Sequence, residues 1–181
     1  MKRRITKVVA ACAATLATAA LGIVAVPTAA HASPATALQR CLSAGVPNVD
    51  VTITHPGNVS SVGYPNVANQ WNVIYPGDVI NIISGGSVRY DFWGASTGPA
   101  GLSGQYGDAS FPFPGYPKVA SVIRFNNNPA GWVGNPDLTV NWGGCHQWTS
   151  PYPVRVGFYV NDNNLGDNGG AWSYRILHYY P

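Results

Sequence analysis

The sequence predicts an all-β protein, an antiparallel jelly-roll-like β-sandwich forming one domain. Three observations carry this. Charged residues are only 9 % of the 181 and Glu is absent, although exposed helix faces are normally filled with Glu, Lys and Arg. The 21 Gly and 15 Pro divide the chain into short apolar runs, the pattern of strands between turns. Ten Tyr and six Trp supply the apolar area that a disordered chain lacks.

The opening residues are read separately. Lys2, Arg3, Arg4 and Lys7 precede an uncharged apolar run over 8–26, and Ala30-His31-Ala32 then offers a small-x-small processing site. This is the pattern of a secretory signal peptide over residues 1–32. Residues 33–48 follow as a leader, and 49–181 hold the sandwich. Beyond residue 32 there are six cations against seven Asp, a net charge of −1. A nucleic-acid partner therefore lacks the clustered cations that phosphate binding needs, and no membrane partner is expected. A secreted, extracellular protein meets an oxidising environment, so Cys41 and Cys145 are expected to form a disulfide tying the leader to the domain. It would close a loop of about a hundred residues, worth roughly 4–5 kcal/mol in the chain-entropy model. His146 adjoins Cys145, but a nucleophile and its base are paired in space rather than by sequence adjacency.

The expected strands are residues 49–54, 71–75, 79–84, 87–93, 119–125, 138–142, 154–160 and 172–180. The last puts Trp172, Tyr174, Ile176, His178 and Tyr180 on one face. Two stretches resist a strand reading. Residues 94–117 are rich in Gly and Pro and carry Tyr106, Phe111, Phe113 and Tyr116; loops this long are usually functional. Residues 161–170 read Asn-Asp-Asn-Asn-Leu-Gly-Asp-Asn-Gly-Gly. Asp162, Asp167 and Asn168 can bring two carboxylates and an amide oxygen together. An all-oxygen set of this kind suits Ca²⁺, and without imidazole or thiolate it does not suit zinc or copper. The competing reading is an Asx-rich connection whose side chains cap their own backbone.

The segment 156–176, from Val-Gly-Phe-Tyr-Val-Asn-Asp through Gly-Asp-Asn-Gly-Gly to Ser-Tyr-Arg-Ile, resembles the calcium loop of PA-IL-like, galactose-binding bacterial lectins. In that family a strand ends in Asn-Asp, a short loop follows, then an Asn-Asn pair, Gly and the closing strand. Upstream, Pro76-Gly77-Asp78 resembles the family's strand opening, with Gly86 and Tyr90 at the expected distance. Gly107-Asp108 with Phe111-Pro112 resembles the stretch leading to the family's His-Pro sugar contact. The resemblance spans roughly residues 71–177, and only the C-terminal loop is specific.

The resemblance implies calcium-dependent, non-catalytic carbohydrate binding. Asp162 would be the central calcium ligand and would also touch sugar. Asp167 and Asn168 would bridge ion and hydroxyls, and Tyr90 and Leu165 would add backbone carbonyls. Phe111, Pro112 and Asn163 complete the implied sugar-binding set. Homo-oligomers are expected by the same analogy, since several sites give avidity. Three departures bear on specificity. The loop between Asp162 and Asp167 is two residues shorter, Asp167 replaces an Asn, and Phe111 stands where the family has a sugar-binding His. A galactose-like ligand is therefore implied less directly than sugar binding itself.

Two other readings stand beside this one. A secreted hydrolase acting on polysaccharide or ester substrates would need His146 with Asp137 and a Ser, or a carboxylate pair such as Asp91 and Asp108, yet no nucleophile-elbow motif accompanies any Ser. A structural or interaction sandwich would use calcium only for stability. His55, His146 and His178 read as packing residues. Trp132, Trp142 and Trp148 read either as a sugar-stacking platform or as core and edge packing.

Overall fold

In the computed structural model, residues 35–64, 72–127 and 131–181 are described. The proposed signal peptide and Trp71, which opens one expected strand, lie outside them. The chain forms α1 (Ala37–Leu42), then β1 (Val49–Pro56), β2 (Ser61–Gly63), β3 (Val79–Arg89), β4 (Ser96–Thr97), β5 (Ala120–Asn127), β6 (Gly131–Leu138), β7 (His146–Gln147), β8 (Arg155–Asn161) and β9 (Gly169–Tyr179). Among the described residues these make two antiparallel sheets. Sheet I runs β1-β9-β3-β4 with β7 on β3, and sheet II runs β2-β8-β5-β6. The all-β sandwich expected from the sequence is the observed architecture, and no described helix is long and apolar enough to cross a membrane.

Alternation builds the core. Trp172, Tyr174, Ile176 and His178 are each at most 1 % exposed, as the period of two in β9 requires. Trp172, Tyr174 and Ile176 share one core with Ile123, Phe125, Val156 and Phe158 of sheet II, with Phe158 stacked on Tyr174 at 4.2 Å between ring centroids. Tyr180 falls just beyond the strand.

The expected strands need four corrections. Residues 79–84 and 87–93 are not two strands: β3 pairs with β9 continuously from Val79↔Tyr179 to Arg89↔Gly169, through both Gly85 and Gly86. Gly86 takes a φ of 85°, and a Cβ there would come within 2.5 Å of the Ala171 carbonyl. The glycine that reads as a break is what lets the ladder pass. The strand also stops at Arg89, so Phe92 and Trp93 stand in a turn, 84 % and 90 % exposed, closed by the Ala95 N–H donating to Asp91. Residues 138–142 form a 3₁₀ turn (Thr139–Trp142) after β6, a strand whose Gly and Pro hid it. Residues 72–75 contribute only the bridge Ile74↔Val154.

The leader holds a helix. Thr36 caps α1 and forms a reciprocal capping box with Gln39. Cys41 is bonded to Cys145, 104 residues away. With Ala37, Val79 and Tyr179 the disulfide forms a small second cluster against sheet I.

Candidate functional site

The β8–β9 connection crosses from sheet II to sheet I, which puts residues 162–168 at one end of the sandwich. Asn161, the last residue of β8, is fully buried and fastens this end. Its side-chain oxygen accepts from the Phe113 N–H at 2.9 Å, and its amide donates to the carbonyls of Tyr116 and Pro117. The long Gly/Pro segment is thereby clamped beside the Asx-rich loop. Phe113 is buried in this clamp, against Tyr116 and Tyr159. Val119 follows with φ of 55°, a left-handed conformation that costs a β-branched residue of order 1–3 kcal/mol. Its N–H donates to the Asn161 carbonyl at 2.7 Å.

Within the loop, Asp162 is the hub. One carboxylate oxygen accepts the Asn164 N–H at 3.0 Å, and the other accepts the Asn168 amide at 2.9 Å. Asn164 also donates to Asp167 Oδ2 at 2.8 Å, tying the second carboxylate to the same turn. A 3₁₀ turn (Leu165–Asp167) brings Asn168 back, its N–H donating to the Leu165 carbonyl. Asn168 is 7 % exposed, and its amide also donates to the Gly57 carbonyl beyond β1. The β3–β9 register, continued by one residue, sets Tyr90 opposite Asn168.

Four buried side-chain polar atoms have no hydrogen-bond partner among the described residues. Two are Thr139 Oγ1 and Trp172 Nε1; the other two are Asp167 Oδ1 and Asn168 Oδ1, on consecutive residues of this loop. Leaving a buried acceptor unpaired costs about 1–3 kcal/mol. Two adjacent acceptors of this kind, beside the Asp162 carboxylate, form a donor set that suits a hard divalent cation. Among the described residues no three His, Cys, Asp or Glu side chains gather into a metal-binding group. Any ion here would be held by two carboxylates completed with amide and carbonyl oxygens, so the chemistry fits calcium rather than a transition metal.

Beside the loop lies a cavity of about 260 Å³ walled by Tyr90, Leu102, Gln105, Phe111, Lys118, Val119, Asp162, Asn163, Asn164 and Asp167. Of the residues singled out by sequence, Tyr90, Phe111, Asp162, Asn163 and Asp167 share this cavity. Asn168 is buried and does not line it. Leu165 is partly buried against the core, while Pro112 is exposed and does not line the cavity. Asn163 donates to the Ser110 hydroxyl at 2.8 Å, linking the two loops. Sequence reading missed Gln105, Lys118 and the Gly57 carbonyl. The Lys118 ammonium sits 5.2 Å from the centre of the Phe111 ring, and nothing local in the sequence signals that approach.

The residues of the hydrolase reading are engaged elsewhere. Asp137 accepts from the Leu138 N–H, Asn141 and the Trp142 indole, whereas His146 pairs with the Gly143 carbonyl. Asp108 is exposed, and its carboxyl is held below the usual range first by the Ser110 hydroxyl and then by the Ser110 N–H. Asp91 caps its own turn. His55 and His178 are fully buried with partners on both ring nitrogens. Trp142 and Trp148 pack on Phe125 at 4.7 and 4.8 Å, while Trp132 stands apart against Arg124 and Tyr159, so the three do not form one platform.

No family model and no curated protein matches the sequence. The resemblance of the loop to PA-IL-like lectins thus stays at the level of its residues. Among solved structures, one match is described as "EclA N-terminal domain; PllA-like lectin"; it is 16 % identical, covers 71 % of this chain and 97 % of that chain, and has a TM-score of 0.38. Fold and site together define a two-sheet β-sandwich with an oxygen-rich loop closing one end.

Proposed function

We propose that this protein is a secreted, non-catalytic carbohydrate-binding protein that grips vicinal hydroxyls through a calcium ion at the β8–β9 loop. The observation that carries the reading is the pair of buried, unpaired acceptors, Asp167 Oδ1 and Asn168 Oδ1, beside a cavity that Asp162 and Asp167 themselves line. A bound Ca²⁺ would supply open coordination positions for a diol. The chain's own residues do the rest. Asp162, Asp167 and Asn168 offer oxygens to the ion, with the Tyr90 and Leu165 carbonyls as further candidates. Asn163 and Gln105 hydrogen-bond outlying hydroxyls, and the half-buried Phe111 ring covers the apolar face of a pyranose. A cavity of about 260 Å³ suits one sugar ring more than a chain. An extracellular setting agrees with the Cys41–Cys145 disulfide.

The test is a glycan array in calcium and again in EDTA, with wild type and Asp162→Ala. Retention in calcium, lost in EDTA and lost in the variant, is the expected result. Sugar retention in excess EDTA by the loop site would overturn it. Tight calcium binding with a blank array would leave the ion a purely stabilising part.

A further inference from the structure

The outer face of sheet II carries a groove that shares no residue with the loop cavity. It measures about 510 Å³, and its lining includes Ser61, Asn126, Trp132, Arg155, Gly157 and Tyr159. Strand register explains its form. Ser61 pairs with Tyr159, Gly63 with Gly157, and Gly157 in turn with Arg124. The next row joins Arg155, Asn126 and Trp132. Gly63 and Gly157 therefore form a low row between two rows of large side chains. Tyr159 leans over this row, since a Cβ on Gly157 would come within 2.9 Å of its ring.

The walls are aromatic and cationic. Trp132 meets Tyr159 edge-on at 5.8 Å, and the Arg124 guanidinium lies 4.1 Å from the centre of the indole. Arg124 fixes that ring in place, yet the indole remains 45 % exposed, so apolar surface is still presented. Arg155 is exposed at the groove wall. Among the described residues neither Arg124 nor Arg155 has a carboxylate within ion-pair distance, and no Asp lines the groove. The exposed guanidinium of Arg155, with no carboxylate beside it, shares the groove with two aromatic rings, on a domain that carries more Asp than Lys and Arg; this combination suits a ligand with both an anion and an apolar face. A guanidinium matches the planar geometry of a carboxylate, and an aromatic ring matches the C–H face of a pyranose.

We propose that this groove is a second, metal-independent site that binds an acidic polysaccharide, with a pyranose ring on Trp132 and Tyr159 and its carboxylate or sulfate on Arg155. Asn126 and Ser61 lie along the same groove to meet ring hydroxyls. The site goes beyond the loop reading and does not depend on it.

The experiment is affinity electrophoresis of the whole protein in EDTA, through gels holding polygalacturonate, dextran sulfate or neutral dextran. Wild type should be retarded by at least one acidic polymer and not by dextran; the two acidic arms tell carboxylate from sulfate. Trp132→Ala and Arg155→Glu should each weaken retardation tenfold or more, while Asp167→Ala leaves it unchanged. Both side chains are on the surface, and Arg155→Glu serves independently should the Trp132 variant misfold. Four results overturn the proposal: no retardation by either acidic polymer, equal retardation by dextran, loss with Arg155→Glu while folded Trp132→Ala binds normally (bare charge attraction), or loss with Asp167→Ala.

Discussion

Strand β9 ends in a buried polar cluster at each extremity, and the two clusters are built oppositely. At its C-terminal end His178 Nε2 meets Asp78 Oδ2 at 2.9 Å, with the Tyr64 hydroxyl on the other ring nitrogen. Asp78 also accepts the Tyr75 N–H at 2.8 Å. His178 and Asp78 are almost wholly buried, and both have partners. At the N-terminal end, Asp167 and Asn168 each leave an acceptor unpaired. A satisfied network specifies one packing arrangement; an unsatisfied one holds its acceptors for something the chain does not itself supply. That contrast separates the structural polar residues of this protein from those proposed to bind.

The contrast breaks most visibly at Asp78. Asp78→Ala takes the acceptor from the buried His178 Nε2, and denaturant unfolding should show a loss of about 1–3 kcal/mol or more, the cost of a buried polar group left unpaired. A loss below about 1 kcal/mol would mean that the two ends do not differ in kind. Asp167→Ala should behave in the opposite way. In EDTA its stability should change by no more than about 0.5 kcal/mol, because its one side-chain partner, the Asn164 amide, is exposed and can turn to water. With calcium at a hundred times its dissociation constant, wild type should gain about 2.7 kcal/mol and the variant nothing. Thermal melts with and without the ion read both numbers, and a variant stabilised like wild type would remove Asp167 from the ion's shell.

Acidification sharpens the comparison further. His55 is buried against Tyr174, whose hydroxyl also joins Ser121, and burial holds the imidazole below its ordinary value of 6.5. Burial likewise pushes the Tyr174 hydroxyl up, keeping it protonated. The fold thus favours neutral His55. Its contribution is complete above about pH 6.5 and declines as pH falls through that value toward the lower folded one. Melting temperature should therefore drop between neutrality and mild acid, and His55→Gln should flatten that slope. The smallest effect is expected at Arg175, whose bidentate pair with Asp50 lies exposed on sheet I. Arg175→Ala should alter stability marginally, and the difference should vanish in high salt.

Legibility followed locality. β1, β5, β8 and β9 were readable because each presents alternation or an apolar run between turn residues. β6 was not, because Gly134 and Pro136 interrupt a strand that neighbouring pairs hold in place. The helix α1 spans less than two turns, too short for a 3.6-residue period to register. The core of the candidate site is local in the same sense: Asp162, Asp167 and Asn168 fall within one short loop, and its oxygen-rich chemistry is written there. Lys118, Gln105 and the Gly57 carbonyl come from segments 44 to 111 residues away from that loop, and the Arg124–Trp132–Tyr159 group takes one residue from each of three strands.

The sequence by itself determined an all-β chain with a bridged cysteine pair and an oxygen-rich loop near its end, since strand period, cysteine count and side-chain chemistry are local properties. Only the tertiary structure decided which acceptors go unpaired, which tryptophan stays at the surface, and which arginines have no carboxylate beside them. Those depend on what other strands bring alongside, and register across a sheet is set by the burial of the whole core rather than by any one segment.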